Sequence, residues 1–340
     1  MFIIKNIRSM FGLLLCVVSF GVYSAQENYS PERLIFTSDP QFPWTESSDH
    51  GWEESSSDKE KRSRWLIETQ YSDVADFRKN FNQYPGRIPV MINGDMTAFG
   101  HGGQRSTTKS ILDEQLGGLY DYGLGNHDYE NNVNDCSFPE NNCAAGSIVE
   151  LKDKYWGEVK SFDLAARIEG GTKIYYGSLA YSRSVGDVHL IQLNNEPTYS
   201  VNFSSGFFWG RVGFEVSDSL DWLERDMQRA RNQGKIILLN MHKPDRWKGS
   251  PEQIARFKAM IKQYEVTAVF AGHLHNSPGQ YYGWNRADYF GDVPVFLSGG
   301  ASSQTYLIAS FAQDRKTLTV HQVNGNKWPS RKAIETIKVR

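Results

Sequence analysis

The sequence predicts an α/β fold in which two mixed β-sheets pack together with helices outside. Three observations point there: short apolar runs bounded by polar residues or Gly, amphipathic stretches at helical spacing, and two hairpin-rich segments. The runs 34–36, 90–92, 236–239 and 266–270 are brief and apolar. Such runs suit strands buried on both faces and alternating with helices. Residues 65–81 can be helical, with Ile67, Val74, Phe77 and Phe81 near one face. A second helix is clearer. Ser217 or Asp218 can cap it, Leu220, Leu223, Met227 and Ala230 recur at helical spacing, and Gly234 stops it. The hairpin-rich stretches, 173–193 and 293–323, argue for two mixed sheets over a single doubly wound one.

A chain of 340 residues accommodates one large α/β domain, and neither an internal repeat nor an interdomain linker divides it. One domain over 26–340 is therefore expected. Hydrophobic residues at 39%, with 19 Phe, 17 Tyr and 9 Trp, can fill a sizeable core and argue against global disorder. The formal net charge of −2 shows no basic excess, so sequence-specific nucleic-acid binding is not expected. Attraction for an anionic substrate must then come from a local source, such as bound cations. Residues 45–61, rich in Ser, Glu and Asp, read as a solvated loop whose charge needs no functional explanation. The mildly basic residues 327–340 read as a surface strand or tail.

The N-terminus points to export. Lys5 and Arg8 precede an apolar run, 10–22, and small residues follow at Ser24 and Ala25. That order fits a secretory signal peptide over 1–25 and a secreted or periplasmic protein. The run is shorter than the roughly 20 residues a spanning helix needs. No stable membrane span is expected, and Leu15 before Cys16 argues against a lipoprotein. Two cysteines remain, Cys136 and Cys143, which can pair across a short loop in an oxidising compartment.

The residues that follow each apolar run carry the chemistry. Asp39-Pro40-Gln41 follows 34–36, and Asn93-Gly94-Asp95 follows 90–92. Gly125-Asn126-His127-Asp128 follows 122–124, His242 follows 236–239, and Gly272-His273-Leu274-His275 follows 266–271. Five strand candidates thus end in metal-ligand chemistry, where α/β folds gather their sites.

These five blocks, in this order, resemble the calcineurin-like metallophosphoesterase family. Its pattern runs D-x-H, G-D, G-N-H-D or E, a later H, and G-H-x-H. The match spans residues 39–275, and the stretch 94–101 also looks like secreted bacterial members. The resemblance implies the family's sandwich of two mixed sheets and a dinuclear centre of divalent metal ions: Mn, Fe or Zn, with Mg a further option. It assigns Asp39, the position of Gln41 and His275 to the first metal. Asp95 bridges both metals, and Asn126, His242 and His273 complete the second. His127 then sits beside the leaving oxygen as general acid, with Asp128 orienting or polarising it. Such donors suit those ions, and two dications against Asp39 and Asp95 leave roughly two positive charges to attract phosphate. A metal-bound hydroxide would attack phosphorus in a mono- or diester.

One position departs from the pattern. The family usually has His where this chain has Gln41. Its amide oxygen can bind a harder cation directly, act through water, or leave the first metal weakly held. A binding protein with an impaired first site is the rival reading, and a membrane-surface phospholipase or toxin component is another. His50, His101, His189 and His321 match no ligand slot, and of these His101 is the one expected to approach the pocket. Residues 299–303 can cradle a phosphate or simply turn, and 192–195 can line the cleft. Trp44, Tyr199, Phe207, Phe208 and Trp209 can shape a lipid or base pocket, although core and loop packing explains them adequately. The oligomeric state is left open.

Overall fold

The computed structural model describes residues 29–136, 138–206 and 210–340. The expected signal peptide over 1–25 and the aromatics Phe207, Phe208 and Trp209 lie outside the described residues. Two large mixed sheets are present, as expected, together with a smaller four-stranded one. In the six-stranded sheet, Arg33–Thr37 pairs in parallel with Val90–Ile92, and that strand with Asp121–Tyr122. Antiparallel strands Thr305–Phe311, Thr317–Asn324 and Lys332–Lys338 extend the other side. The last is the strand expected near the C-terminus. In the seven-stranded sheet, Val188–Gln192, Ile236–Asn240, Ala268–Ala271 and Val295–Leu297 run parallel to one another.

The two sheets meet face to face. Leu34, Phe36, Met91, Leu307 and Val320 from one pack on Leu190, Leu238, Phe270 and Phe296 from the other. Phe36 and Phe270 stack with centroids 3.6 Å apart and planes within 4°. Helices Ser56–Phe81 and Gly102–Leu116 bury Leu66, Val74, Phe77 and Ile111 against the outer face of the six-stranded sheet. Helices Leu220–Asn232 and Pro251–Gln263 cover the second sheet with Leu223, Met227, Phe257 and Ile261. Each fully buried side chain of this size contributes roughly 1.5–3 kcal/mol. Helix Asn142–Tyr155 packs on the small sheet.

Some boundaries differ from expectation. The helix expected over 65–81 begins nine residues earlier, at Ser56, where Ser55 caps it by accepting the Asp58 N–H at 3.2 Å. The charged residues of the supposed loop are its solvated first turns, and Lys, Glu and Arg are good helix formers there. A five-residue helix, Glu46–His50, opens the same stretch. At the second helix, Asp218 Oδ1 accepts from the Leu220 N–H at 3.0 Å, while Ser219 holds the cap position. The strand expected over 266–270 runs Ala268–Ala271 instead.

Candidate metal centre

Parallel pairing brings the strand ends to one edge of the sandwich. Thr37 lies opposite Ile92, so the turns carrying Asp39 and Asp95 leave the sheet side by side. Backbone bonds lock them: the Asp39 N–H donates to the Gly94 carbonyl at 3.0 Å, and that of Gln41 to the Asp95 carbonyl at 2.9 Å. The turns are tight. Asp39, Gln41 and Asp95 all have positive φ, at 52°, 44° and 49°. Such angles are uncommon outside Gly and mark a backbone held by its surroundings. Gly94, at φ 83°, is needed twice over, because a Cβ there would lie 2.7 Å from the Gly125 nitrogen.

The expected ligand side chains converge. His242 Nδ1 donates to the Asn93 carbonyl at 2.8 Å, which leaves Nε2 with only a lone pair when the ring is neutral. That nitrogen faces Asn126 Oδ1 at 3.1 Å and Asp95 Oδ2 at 3.1 Å, with Asp39 Oδ1 at 4.0 Å. Lone pairs so placed require a positive charge among them, either a proton or a metal ion. His273 joins them: one ligand atom each from Asp95, His242 and His273 lie within 4.8 Å of one another. Donors about 2.0–2.2 Å from a shared cation sit at such separations.

The same logic repeats at Asp39. His275 presents Nε2 to Asp39 Oδ1 at 3.0 Å, while its Nδ1 donates to Asp49 Oδ1 at 2.6 Å. Gln41, only 1% exposed, has both its amide oxygen and its amide nitrogen buried without a hydrogen-bond partner. An orphaned amide beside Asp39 suits an oxygen ligand, because a bound cation would satisfy the acceptor. The donors at Asp95, His242 and His273 therefore fit a divalent cation, and Asp39, Gln41 and His275 offer a second group of donors.

Electrostatics agree. Burial alone would raise the Asp95 carboxyl, but the His242 charge and hydrogen bond carry it below the usual carboxylate range. Burial alone would lower His242, yet Asp95 and Asp39 raise it to about 9. His275 is raised by Asp39 and Asp49 against its burial. His273 goes the other way, lowered to about 4 by burial and by the His242 charge. Two imidazoles thus hold protons beside the carboxylates that a metal would displace.

Asp128 differs from expectation. Its carboxylate does not orient the His127 ring; it accepts from the backbone N–H groups of Met96, Thr97 and Gly125 and from the Thr97 hydroxyl, at 2.9–3.0 Å. Burial and the Asp95 charge push this carboxyl up, and the hydrogen bonds from Gly125, Met96 and the Thr97 hydroxyl oppose them. What holds the imidazole is a backbone carbonyl, with His127 Nδ1 donating to Ala98 at 2.7 Å. Asp128 is the tie between two ligand loops. The residue identity was visible in the motif; the acceptor for His127 was not.

Asp49 escaped the sequence reading altogether, because its Ser- and Asp-rich neighbourhood looks like solvated chain. Its side chain is 6% exposed, and its Oδ1 also accepts Trp44 Nε1–H at 2.6 Å. The stretch 192–195 does not line a cleft. Gln192, Asn194 and Asn195 are fully buried, and Asn194 Oδ1 braces the ligand loop by accepting the Leu124 N–H at 3.0 Å. The 299–303 turn packs on Asp39, with the Ala301 N–H donating to the Asp39 carbonyl at 3.1 Å. His101 lies beside Cys136 and Cys143, which form the expected disulfide. His189 is a core residue paired with Asp226 at 2.7 Å.

The fold and its strand-end cage thus define a metal-binding α/β sandwich. The family profile of calcineurin-like phosphoesterases matches residues 32–277, and the chain belongs to that family. Metal-dependent phosphoester hydrolysis is the chemistry the family supports in general. No curated protein matches the chain. Among solved structures it is similar to one described as "GAP50 the anchor in the inner membrane complex of Plasmodium". That likeness has 11% identity and a TM-score of 0.48 over 91% of this chain and 88% of that chain, and it carries no functional argument.

Proposed function

We propose that the chain is a secreted or periplasmic phosphoesterase, a single domain over 26–340, acting on phosphate mono- or diesters with a dinuclear metal centre. The observation that carries this is the meeting of lone pairs at His242 Nε2, repeated where His275 meets Asp39. Asp39, Gln41, His275 and Asp95 would hold one ion; Asp95, Asn126, His242 and His273 the other. Mn, Fe and Zn suit this donor set, and Mg is a further option. When bound, the ions polarise the phosphoryl oxygens and activate water for attack on phosphorus.

The side chains do the rest. With Nδ1 committed to Ala98, His127 has Nε2 left to carry a proton to the leaving oxygen, a contribution of about 10² to 10⁴ in rate. The backbone N–H of His127 donates to Asp95 Oδ1 at 2.8 Å, so the proton donor and the Asp95 carboxylate are held in one geometry. Asp128 keeps the Met96–Thr97 and Gly125 loops together and thereby sets the distance between Asp95 and Asn126. Export is supported by the composition of 1–25 and by the disulfide, since such bonds persist in oxidising compartments. Among the described residues no helix is long and apolar enough to cross a membrane.

The test is metal analysis with turnover of an aryl phosphate diester and monoester after loading with Mn, Fe, Zn or Mg. Asp95→Asn should lose metal at both positions and nearly all turnover. Correctly folded wild type with no turnover under any metal would overturn the enzyme and leave the binding protein.

A further inference from the structure

We infer that Trp44 is the wall against which the substrate's leaving group rests, and that the preferred substrates are phosphate esters whose leaving group carries a planar ring. This rests on the phosphoesterase reading above. Among the described residues, Trp44 is an aromatic that the fold places against His127 and His275. Its ring centroid lies 5.4 Å from that of His127, at 67°, and 6.2 Å from that of His275, at 87°. It therefore borders both the proton donor and a first-metal ligand. A leaving group that takes its proton from His127 lies beside that ring, whose centroid is 5.4 Å from that of Trp44.

The indole is held, not merely present. Its backbone N–H donates to Ser63 Oγ at 3.0 Å, and its Nε1–H to Asp49 Oδ1 at 2.6 Å. The same carboxylate oxygen holds His275. Wall and ligand are thus fixed to one atom. Core tryptophans in this fold, Trp222 and Trp247, are buried, whereas Trp44 keeps part of its surface open. Lys59 Nζ stands 5.4 Å from the ring centroid and adds a cation beside it. A flat, polarisable surface with fixed orientation favours a planar partner, because aromatic pairs gain energy beyond the area they bury. Aryl and nucleoside leaving groups share that chemistry, and propyl lacks it.

The test compares metal-loaded wild type with Trp44→Phe, Trp44→Leu and Trp44→Met. Substrates are phenyl, adenosine 5′- and propyl phosphates, as monoesters or methyl diesters according to which is turned over. Each ester serves as its own reference for leaving-group reactivity, because only the change from wild type is read. The expected result is a drop of about tenfold in kcat/KM for phenyl or adenosine esters relative to propyl in the Leu and Met variants. Trp44→Phe, which keeps a ring but loses the bond to Asp49, should retain the preference, and metal content should hold in the Leu and Met proteins. Whichever of the phenyl and adenosine arms falls identifies the source of the ring. An unchanged ratio in Leu and Met, or equal losses on all three esters together with lost metal, overturns the inference and leaves Trp44 as a support for Asp49. Wild type inactive on every ester would instead sink the phosphoesterase reading, and the inference with it.

Discussion

Asp49 Oδ1 accepts a hydrogen bond from His275 Nδ1 at 2.6 Å, and this contact aims His275 Nε2 at Asp39. Burial would raise the Asp49 carboxyl, but the His275 hydrogen bond and charge hold it below the usual carboxylate range. A carboxylate behind a metal-binding imidazole fixes its tautomer and raises its basicity. Asp49→Ala should therefore weaken metal binding at the Asp39 side by about 10- to 100-fold. Asp49→Asn, which keeps an acceptor oxygen, should lose less. Calorimetric titration with Mn or Zn would read both, and equal affinities in wild type and Asp49→Ala would remove Asp49 from the site.

Gln41 offers a test that separates metal ligation from packing. Its amide is buried with neither polar atom paired, and an unsatisfied buried group costs about 1–3 kcal/mol. Gln41→Met should stabilise the chelator-treated protein by about that amount, while shrinking the gain in Tm on adding metal. Gln41→His should shift preference toward softer ions such as Zn. An undiminished metal-dependent gain in Gln41→Met would show that the amide does not ligate.

His127 and Asp128 are adjacent in sequence but should fail differently. His127→Ala removes a proton donor, so esters with poor leaving groups should slow most, by up to about 10⁴, while metal content and Tm stay near wild type. Asp128→Ala strips the acceptor from three backbone N–H groups and should cost about 3 kcal/mol or more. Its activity loss should be similar across leaving groups. A leaving-group profile for Asp128→Ala that matched His127→Ala would restore a direct role in proton transfer.

Acid sensitivity should reside partly in a core ion pair outside the cage. Asp226, buried, accepts from His189 Nε2 and from the Arg229 guanidinium at 2.7 Å each. Burial alone would raise its carboxyl, but His189 and its other partners hold it below the ordinary value. A depressed carboxyl stabilises the fold above its unfolded pKa, about 3.9, and the contribution is lost as pH falls through the folded one. Asp226→Ala should thus cost about 1–3 kcal/mol at pH 7, because it leaves the buried His189 ring without its acceptor, while the half-exposed Arg229 can turn to solvent. The difference from wild type should narrow below about pH 4. Urea melts of both proteins at the two pH values would check the sign.

The two large sheets and the ligand types were legible in the sequence. Both are local properties: an apolar run long enough for a buried strand, followed at once by Asp, Asn or His. The Ser250-Pro251-Glu252-Gln253 capping box was also there to be read, and it starts the helix Pro251–Gln263 that the periodicity did not reveal. Other features had no local signature. Asp49 is one acid in a polar run, and only the approach of a segment 226 positions away makes it the partner of His275. Ala98 holds His127 through a carbonyl that every residue has. Asp128 tied the loops, although its place in the motif suggested a partner for the imidazole. Trp44 looked like packing until the fold set it against His127. Tertiary structure decided these roles because each depends on distance and direction between segments, and an isolated stretch of chain encodes neither.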